Sequence, residues 1–289
     1  MMRKTKPAVL AIFYIVLIIG VIFSVYPVYF MFLASVRPGQ SLYTLDPMGM
    51  IWPTQFTLQN YQTMMFGKPV PGAADGMFWT WLFNSLKVAG LTAMATLLVA
   101  TSAAFAVSRF RFRGREGSLI FLLALQAFPG ILSLLAIAQL LTAMGLYGTH
   151  LGLIIAYAGG ALVFNIWNLK GYFDTIPFEL EEAAMIDGAG PIQSFIRIII
   201  PLATPALAVT AWFGFLAGFS EFVLASILLA GKPGAETLPV ALYKMTANVG
   251  VPWGLFAAGA MLVTVPLLLI FYVTQRYLVG GLTLGGVKG

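Results

Sequence analysis

Few residues in this chain have side chains that do chemistry. There is one histidine, His150, and no cysteine, against ten acidic and sixteen basic residues. A single histidine builds neither a multi-histidine metal site nor a Ser/His hydrolase triad, and without cysteine there are no disulfides or thiol nucleophiles. No P-loop, full dinucleotide fingerprint or EF-hand loop is written in the chain, so it binds ATP by no Walker motif of its own. Three of the ten acids gather in "EEAAMIDGAG", Glu181 to Gly190, as Glu181, Glu182 and Asp187. No His, Cys, Ser or Thr lies among them. Acids without a nucleophile or a base beside them point to recognition of a basic partner rather than to catalysis.

The elements that carry this stretch follow from composition. The chain of 289 residues is 60% hydrophobic and 9% charged, with a mean hydropathy of +0.92. A soluble domain carries about 25% charged residues, so this chain reads as an all-α integral membrane protein with about six spanning helices. The apolar runs are long and continuous, unlike the alternating strands of about ten residues in a β-barrel. The spans are expected at about 9–36, 81–107, 118–142, 151–169, 201–230 and 254–277 of a single domain, 1–289. Between them lie outer loops at about 37–80 and 231–253, an inner loop at 170–197 and a tail at 278–289. The first apolar run is long enough to span and shows no clear cleavage site, so a cleavable signal peptide is not expected. With the N-terminus inside, eleven of the sixteen basic residues fall on the inner side, Arg109, Arg111, Arg113 and Arg115 among them. The positive-inside bias therefore predicts cytoplasmic N and C termini, and the arginine run reads as a topological anchor. The net charge of +6 fits this placement and needs no nucleic acid.

The inner loop reads "KGYFDTIPFELEEAAMIDGAGPIQSFIRIIIPLATPA". Pro177 suits a first helical turn, with Asp174 or Thr175 as cap. Glu179, Glu181 and Glu182 favour the positive end of the helix dipole. Gly188, Gly190 and Pro191 end the helix after about three turns. On a helical wheel Phe178, Glu181, Glu182 and Met185 share one side, while Leu180, Ala183, Ala184 and Asp187 share the other. A surface-lying helix usually shows Lys and Arg to an anionic leaflet. On periodicity alone it reads as an ordinary amphipathic linker at the membrane surface, but it shows acids, which suit a basic protein surface better.

Glu182, Ala183 and Ala184, then Gly188, then Ile198, then Pro201 resemble the EAA motif of ABC importer permeases, with Ile200 where that pattern has Leu. The stretches "LFNSLKVAG", "AFAVSRFRFRG", "QAFPGILSLLAI", "AYAGGAL", "KGYFDTI" and "GLTLGGVKG" extend the resemblance, which is nearest to the smaller permease of maltose/maltodextrin-type importers. The resemblance implies a type I ABC importer permease in a bacterial or archaeal inner membrane. Its EAA loop (Glu181, Glu182, Ala183, Ala184, Asp187, Gly188, Ile198, Pro201) docks into a cytoplasmic ATPase dimer. Its tail (Gly285, Gly286, Val287, Lys288) also reaches the ATPase. An outer loop holding Asn248, Val249, Gly250 and Val251 meets an extracytoplasmic sugar-binding protein. A second, larger permease holds the best-defined sugar site. The resemblance also implies that ATP and Mg belong to the ATPase, that no cofactor or metal binds this chain, and that the chain is not an enzyme. The implied cargo is maltose, maltodextrin, trehalose or a related oligosaccharide.

Glu221 sits inside an apolar run, where an unpaired carboxylate is costly. It faces either a wet pathway or gate or a hydrogen-bond partner within the bundle, and Asn165 and Asn168 invite the same two readings. Gly214 and Gly218 form a small-xxx-small pair suited to close helix packing. His150 reads as a solvated turn residue. Two other functional classes stand against the importer permease. A self-sufficient secondary transporter or channel wants coupling carboxylates or inverted repeats, and only Glu221 offers itself. An intramembrane enzyme wants a nucleophile and a base, and no such pair is visible.

Overall fold

The structure, a computed structural model, describes residues 7–43, 46, 48–69, 73–246 and 250–284. Among them there is no β-strand. In chain order the first helices are α1 (Pro7–Val36), α2 (Gln59–Phe66), α3 (Met77–Arg109), α4 (Arg115–Gln126), α5 (Gly130–Ala143) and α6 (His150–Phe173). The segment after α6 folds into α7 (Glu179–Ile186), α8 (Pro191–Ser194), a π-helical turn (Phe195–Ile199) and α9 (Ile200–Leu202). Then come α10 (Thr204–Ser220), α11 (Val223–Leu228), α12 (Leu238–Thr246) and α13 (Trp253–Leu284). Four stretches are long and apolar enough to cross a membrane: Val9–Val36, Met77–Arg109, His150–Phe173 and Trp253–Arg276. The number rises to six if each of two bent helix pairs counts as one span.

The bends lie where proline interrupts apolar runs that read as continuous. The run at 118–142 is built as α4 and α5, which meet at 100°. Pro129 between them has no N–H to donate, and its ring disfavours a helical Phe128. The run read as beginning at Pro201 begins at Pro191 instead, and it bends by 81° between Leu202 and Thr204. Pro201 cannot donate to the Arg197 carbonyl four residues back. The preceding turn is wound in π register, and the Ile200 N–H reaches the Phe195 carbonyl. At the C-terminal end, the helix continues through 278–284, which read as tail, so α13 is longer than its apolar core.

The chain divides into two compact units. The first comprises Met1–Trp79 and Leu242–Pro266. Its polar centre is Asn60 on α2, whose amide donates to the Ser35 and Arg37 carbonyls while its oxygen accepts from Gln40. Gln40 in turn accepts the Leu255 N–H at the start of α13. These bonds satisfy backbone groups at the end of α1 and the beginning of α13.

The second unit, Thr80–Ala241 and Leu267–Gly289, holds two apolar clusters. One gathers Val88, Leu153, Tyr157, Leu224 and Leu228. The other gathers Ala100, Phe105, Leu169, Phe173, Ile176 and Ile199, behind α7 and the π-helical turn. Between them α3 and α10 meet along a seam of small residues. A Cβ added at Gly218 would stand 2.9 Å from the Ala89 Cα, and one at Gly214 would stand 3.0 Å from the Ala93 Cα. The close-packing role read for this glycine pair is what the helices show.

Candidate functional site: the acidic loop and its anchor

The loop from Asp174 to Pro201 is held at both ends by identifiable bonds. At its entry, the cap expected from Asp174 or Thr175 does not form. Lys170, one turn back on α6, donates to Asp174 Oδ2 at 2.6 Å, and Ser108 at the end of α3 donates to Oδ1 at 2.6 Å. The Thr175 hydroxyl turns back to the Tyr172 carbonyl. Phe178 takes the N-cap position of α7 without a side-chain cap bond. Burial by itself would raise the Asp174 carboxyl. The hydrogen bonds from Lys170 and Ser108, with the charges of Lys170 and Arg109, outweigh it and hold the carboxyl below its ordinary range.

At its exit, α7 closes in a Schellman motif. Gly188 N–H donates to Met185 O at 3.0 Å, and Ala189 N–H donates to Ala184 O at 2.9 Å. Gly188 carries φ of +86°, a left-handed conformation that an L side chain strains. This accounts for glycine four residues after the second alanine: the helix must stop there and turn, with its last carbonyls satisfied. The resulting α7 is eight residues long, about two turns where about three were expected.

The structure separates the adjacent glutamates that the wheel put on one side. Glu181 is 2% exposed and turns inward. Arg109, the last residue of α3, donates from Nε to Glu181 Oε1 at 2.5 Å. The same guanidinium donates from Nη2 to the Ile176 carbonyl at 3.0 Å and from Nη1 to Ser108 Oγ at 3.3 Å. Its carbon lies 5.8 Å from the centre of the Phe178 ring, within cation–π range. The side chains of Arg109 and Glu181 are 8% and 3% exposed. Glu182 and Asp187 face outward with Leu180, Ala183, Met185 and Ile186, while Ala184 is half-buried. Glu182 and Asp187 are therefore exposed, and Glu181 belongs to the chain's own interior. Ile198 lies in the π turn and Pro201 in α9, so they shape the exit from the loop. An open groove of about 560 Å³ runs beside it, lined by Gly190, Pro191, Ile192, Gln193, Ile196 and Arg197.

The other expected site residues do not converge here. Glu221 stands in the break between α10 and α11, where its carboxylate accepts the Tyr157 hydroxyl from α6 and the Leu224 N–H of α11. Asn165 is buried on α6. Its amide donates to the Ala161 carbonyl, and its Oδ1 has no hydrogen-bond partner among the described residues. Asn168 is half-buried one turn on. Tyr157 precedes Asn165 on α6 by about 12 Å of helix rise, so Glu221 and the asparagines are not one cluster. Gly250 is exposed, Val251 is half-buried and accepts the Trp253 N–H, and Asn248 and Val249 lie outside the described residues. Gly285, Gly286, Val287 and Lys288 also lie outside them. His150 is bonded rather than free in solvent, its Nε2 lying 2.7 Å from the Ala235 carbonyl. Among the described residues no group of three His, Asp or Glu could hold a metal.

Sequence reasoning missed three anchors. Arg109 read only as a topological charge. Asn84 and Ser85 of "LFNSLKVAG" drew no role, yet Asn84 donates to the Gly234 and Glu236 carbonyls and Ser85 accepts the Leu238 N–H. The available signal was a polar pair inside an apolar helix.

Residues 96–283 match the family described as "Binding-protein-dependent transport system inner membrane component". The galactooligosaccharides transport system permease protein GanQ of Bacillus subtilis (strain 168) is 38% identical over 96% of this chain and 94% of its own. The maltose/maltodextrin transport system permease protein MalG of Escherichia coli (strain K12) is 35% identical over 99% of this chain and 98% of its own. The backbone is similar to a chain in the crystal structure of a bacterial ABC transporter involved in the import of the acidic polysaccharide alginate. The TM-score is 0.78 at 22% identity, covering 95% of this chain and 99% of that one. The matched region takes in α7 together with its anchor on α3, and the relatives agree along nearly the full length: this chain is a member of the inner membrane components of binding-protein-dependent transport systems.

Proposed function

We propose that this chain is one of two permeases of an ATP-driven importer for an oligosaccharide of the maltodextrin or galactooligosaccharide kind, with both termini in the cytoplasm. ATP and Mg are bound and ATP is hydrolysed on a separate ATPase dimer. A loaded binding protein docks outside, and α7 seats in the ATPase inside. ATP-driven closure of the ATPase moves α7, and the permeases open outward to receive sugar. The observation that carries this reading is the geometry of α7. It is a short helix closed by a Schellman turn, rooted by one buried glutamate and presenting Glu182, Asp187, Met185 and Ile186 outward. Hydrophobic side chains among acids suit a basic cleft with an apolar floor better than a leaflet of anionic lipid. The basic run at 109–115 lies at the same end of the second unit as α7, because Arg109 holds Glu181. This supports placing that end in the cytoplasm.

The polar groups Glu221, Asn165 and Asn168 belong to the same proposal as elements of the path or its gate, with Glu221 acting through the α10–α11 break. The loop around Gly250 and Val251 and the terminal residues 285–288 are proposed contacts for the binding protein and the ATPase.

The test is to purify the complex with Glu182→Ala and, separately, with Gly188→Pro. Each is measured for ATPase copies per permease and for hydrolysis stimulated by sugar-loaded binding protein. A charge-assisted hydrogen bond of roughly 1.5–3 kcal/mol predicts at least tenfold weaker docking for Glu182→Ala. Gly188→Pro removes a backbone donor and forbids the left-handed turn, so it is expected to lose stimulation altogether. Normal copy number and normal stimulation in both variants would remove α7 from the mechanism. A panel of sugars offered to the binding protein then fixes the cargo.

A further inference from the structure

Two glutamates stand side by side in α7, and the structure gives them opposite surroundings. Glu182 is exposed, whereas Glu181 is locked to Arg109 at the end of a 33-residue helix, α3. The Arg109 guanidinium makes three further contacts, to the Ile176 carbonyl, Ser108 Oγ and the Phe178 ring. Ser108 passes the connection to Asp174, and Asp174 passes it to Lys170 on α6. The entry segment of the loop, residues 174–181, is thus bonded to the ends of both α3 and α6. A loop attached only by its backbone would absorb a push on α7 by flexing at Gly188 and Gly190. A loop bonded through side chains to two long helices passes the push on.

We propose that Arg109 and Glu181 form the transmission joint of this permease: they do not touch the ATPase but make α7 move as one body with the ends of α3 and α6. This rests on the reading of α7 as the ATPase-docking helix and divides its work between neighbours, Glu182 for docking and Glu181 for transmission. Arg109 is a positioning residue, acting through Glu181 and the loop backbone. Lysine at this place would keep the charge but could not span Glu181, Ile176 O and Ser108 together, because an ammonium lacks the planar fork.

The experiment uses the whole complex in liposomes with its binding protein and compares Arg109→Glu, Glu181→Arg, the exchanged pair Arg109→Glu/Glu181→Arg and Glu182→Ala. Three quantities are read: ATPase copies per permease, sugar transported per ATP hydrolysed, and the mobility of a spin label on a cysteine replacing Glu179, which is exposed at the start of α7 in a chain with no cysteine of its own. The single variants are expected to keep their ATPase copies, to free the label and to lower transport per ATP by roughly tenfold, within the usual range of coupling between separated sites. The exchanged pair is expected to restore most of that ratio. If the reversed charges prevent assembly, Arg109→Gln/Glu181→Gln, which can still hydrogen-bond across the joint, takes their place and is expected to recover part of it. Single variants with an unchanged ratio overturn the joint while leaving α7 as the docking helix. So do single variants that lose ATPase copies without rescue by either pair. If Glu182→Ala leaves docking untouched as well, the docking reading falls and the joint falls with it.

Discussion

Glu181 and Glu221 are both carboxylates drawn into the second unit, and their surroundings differ in kind. Glu181, beside the C-terminal end of α3, is neutralised by a guanidinium that also takes up a loop carbonyl. Glu221, inside an apolar run, is met by a phenol and a backbone N–H, and among the described residues no Lys or Arg pairs with it. A buried ion pair is rigid but intolerant of losing one member, because the survivor is left charged and dry. Neutral donors around an acid only need an acceptor. The first arrangement suits a joint that must not yield. The second suits a helix break whose partners can be exchanged as the helices shift.

The largest effect should follow from Arg109→Ala, which leaves Glu181 buried and unpaired. Removing one member of such a pair costs about 3–5 kcal/mol, and hydrogen exchange over residues 174–186 should speed up accordingly. Unchanged exchange there would show that the pair does not anchor the loop. At Glu221 the contrast is sharpened by two substitutions. Glu221→Ala strands the Tyr157 hydroxyl and the Leu224 N–H and should cost about 1–3 kcal/mol in thermal unfolding of the detergent-solubilised complex. Glu221→Gln keeps an acceptor and should cost less than about 1 kcal/mol, whereas Glu181→Gln leaves Arg109 without its counter-charge and should cost clearly more. Equal losses for the two Gln variants would end the distinction between the sites.

A smaller loss is expected for Gly188→Ala. Holding an L residue in the left-handed region costs about 1–2 kcal/mol, confined to the end of α7 and visible as faster exchange of the Gly188 and Ala189 amides. The smallest effect concerns Asp174. Its folded carboxyl titrates below the ordinary range, so its contribution is present at neutral pH and is lost as the pH falls through that lowered value. Its side chain is 41% exposed, so screening limits the contribution to about 0–1 kcal/mol. Asp174→Asn should slightly weaken the loop at neutral pH and flatten its response to acid below about pH 4. An equal acid response in both proteins would assign that response to another carboxylate.

Composition and the length of the apolar runs are enough to make this an all-helical membrane chain. Long apolar runs have no other stable form in lipid, and Pro177, the acids after it and Gly188, Gly190 and Pro191 were enough to mark a helix in the loop, which Glu182, Ala183, Ala184 and Gly188 single out only by resemblance to the EAA motif. The glycine that ends it was legible because only a residue without a Cβ enters the left-handed turn easily. What the charges do is set by packing between distant segments. Arg109 and Glu181 are 72 positions apart, and no periodicity relates them. Until α3 and the loop are packed together, Arg109 is one basic residue among four in a short run, and Glu181 is indistinguishable from Glu182. The bends at Pro129 and between Leu202 and Thr204 belong to the same class, since an apolar run containing proline is compatible with a kinked span or a broken one. Local chemistry sets which residues can bend or bind. Only the folded neighbourhood sets which of two adjacent glutamates finds a cation and which is left facing outward.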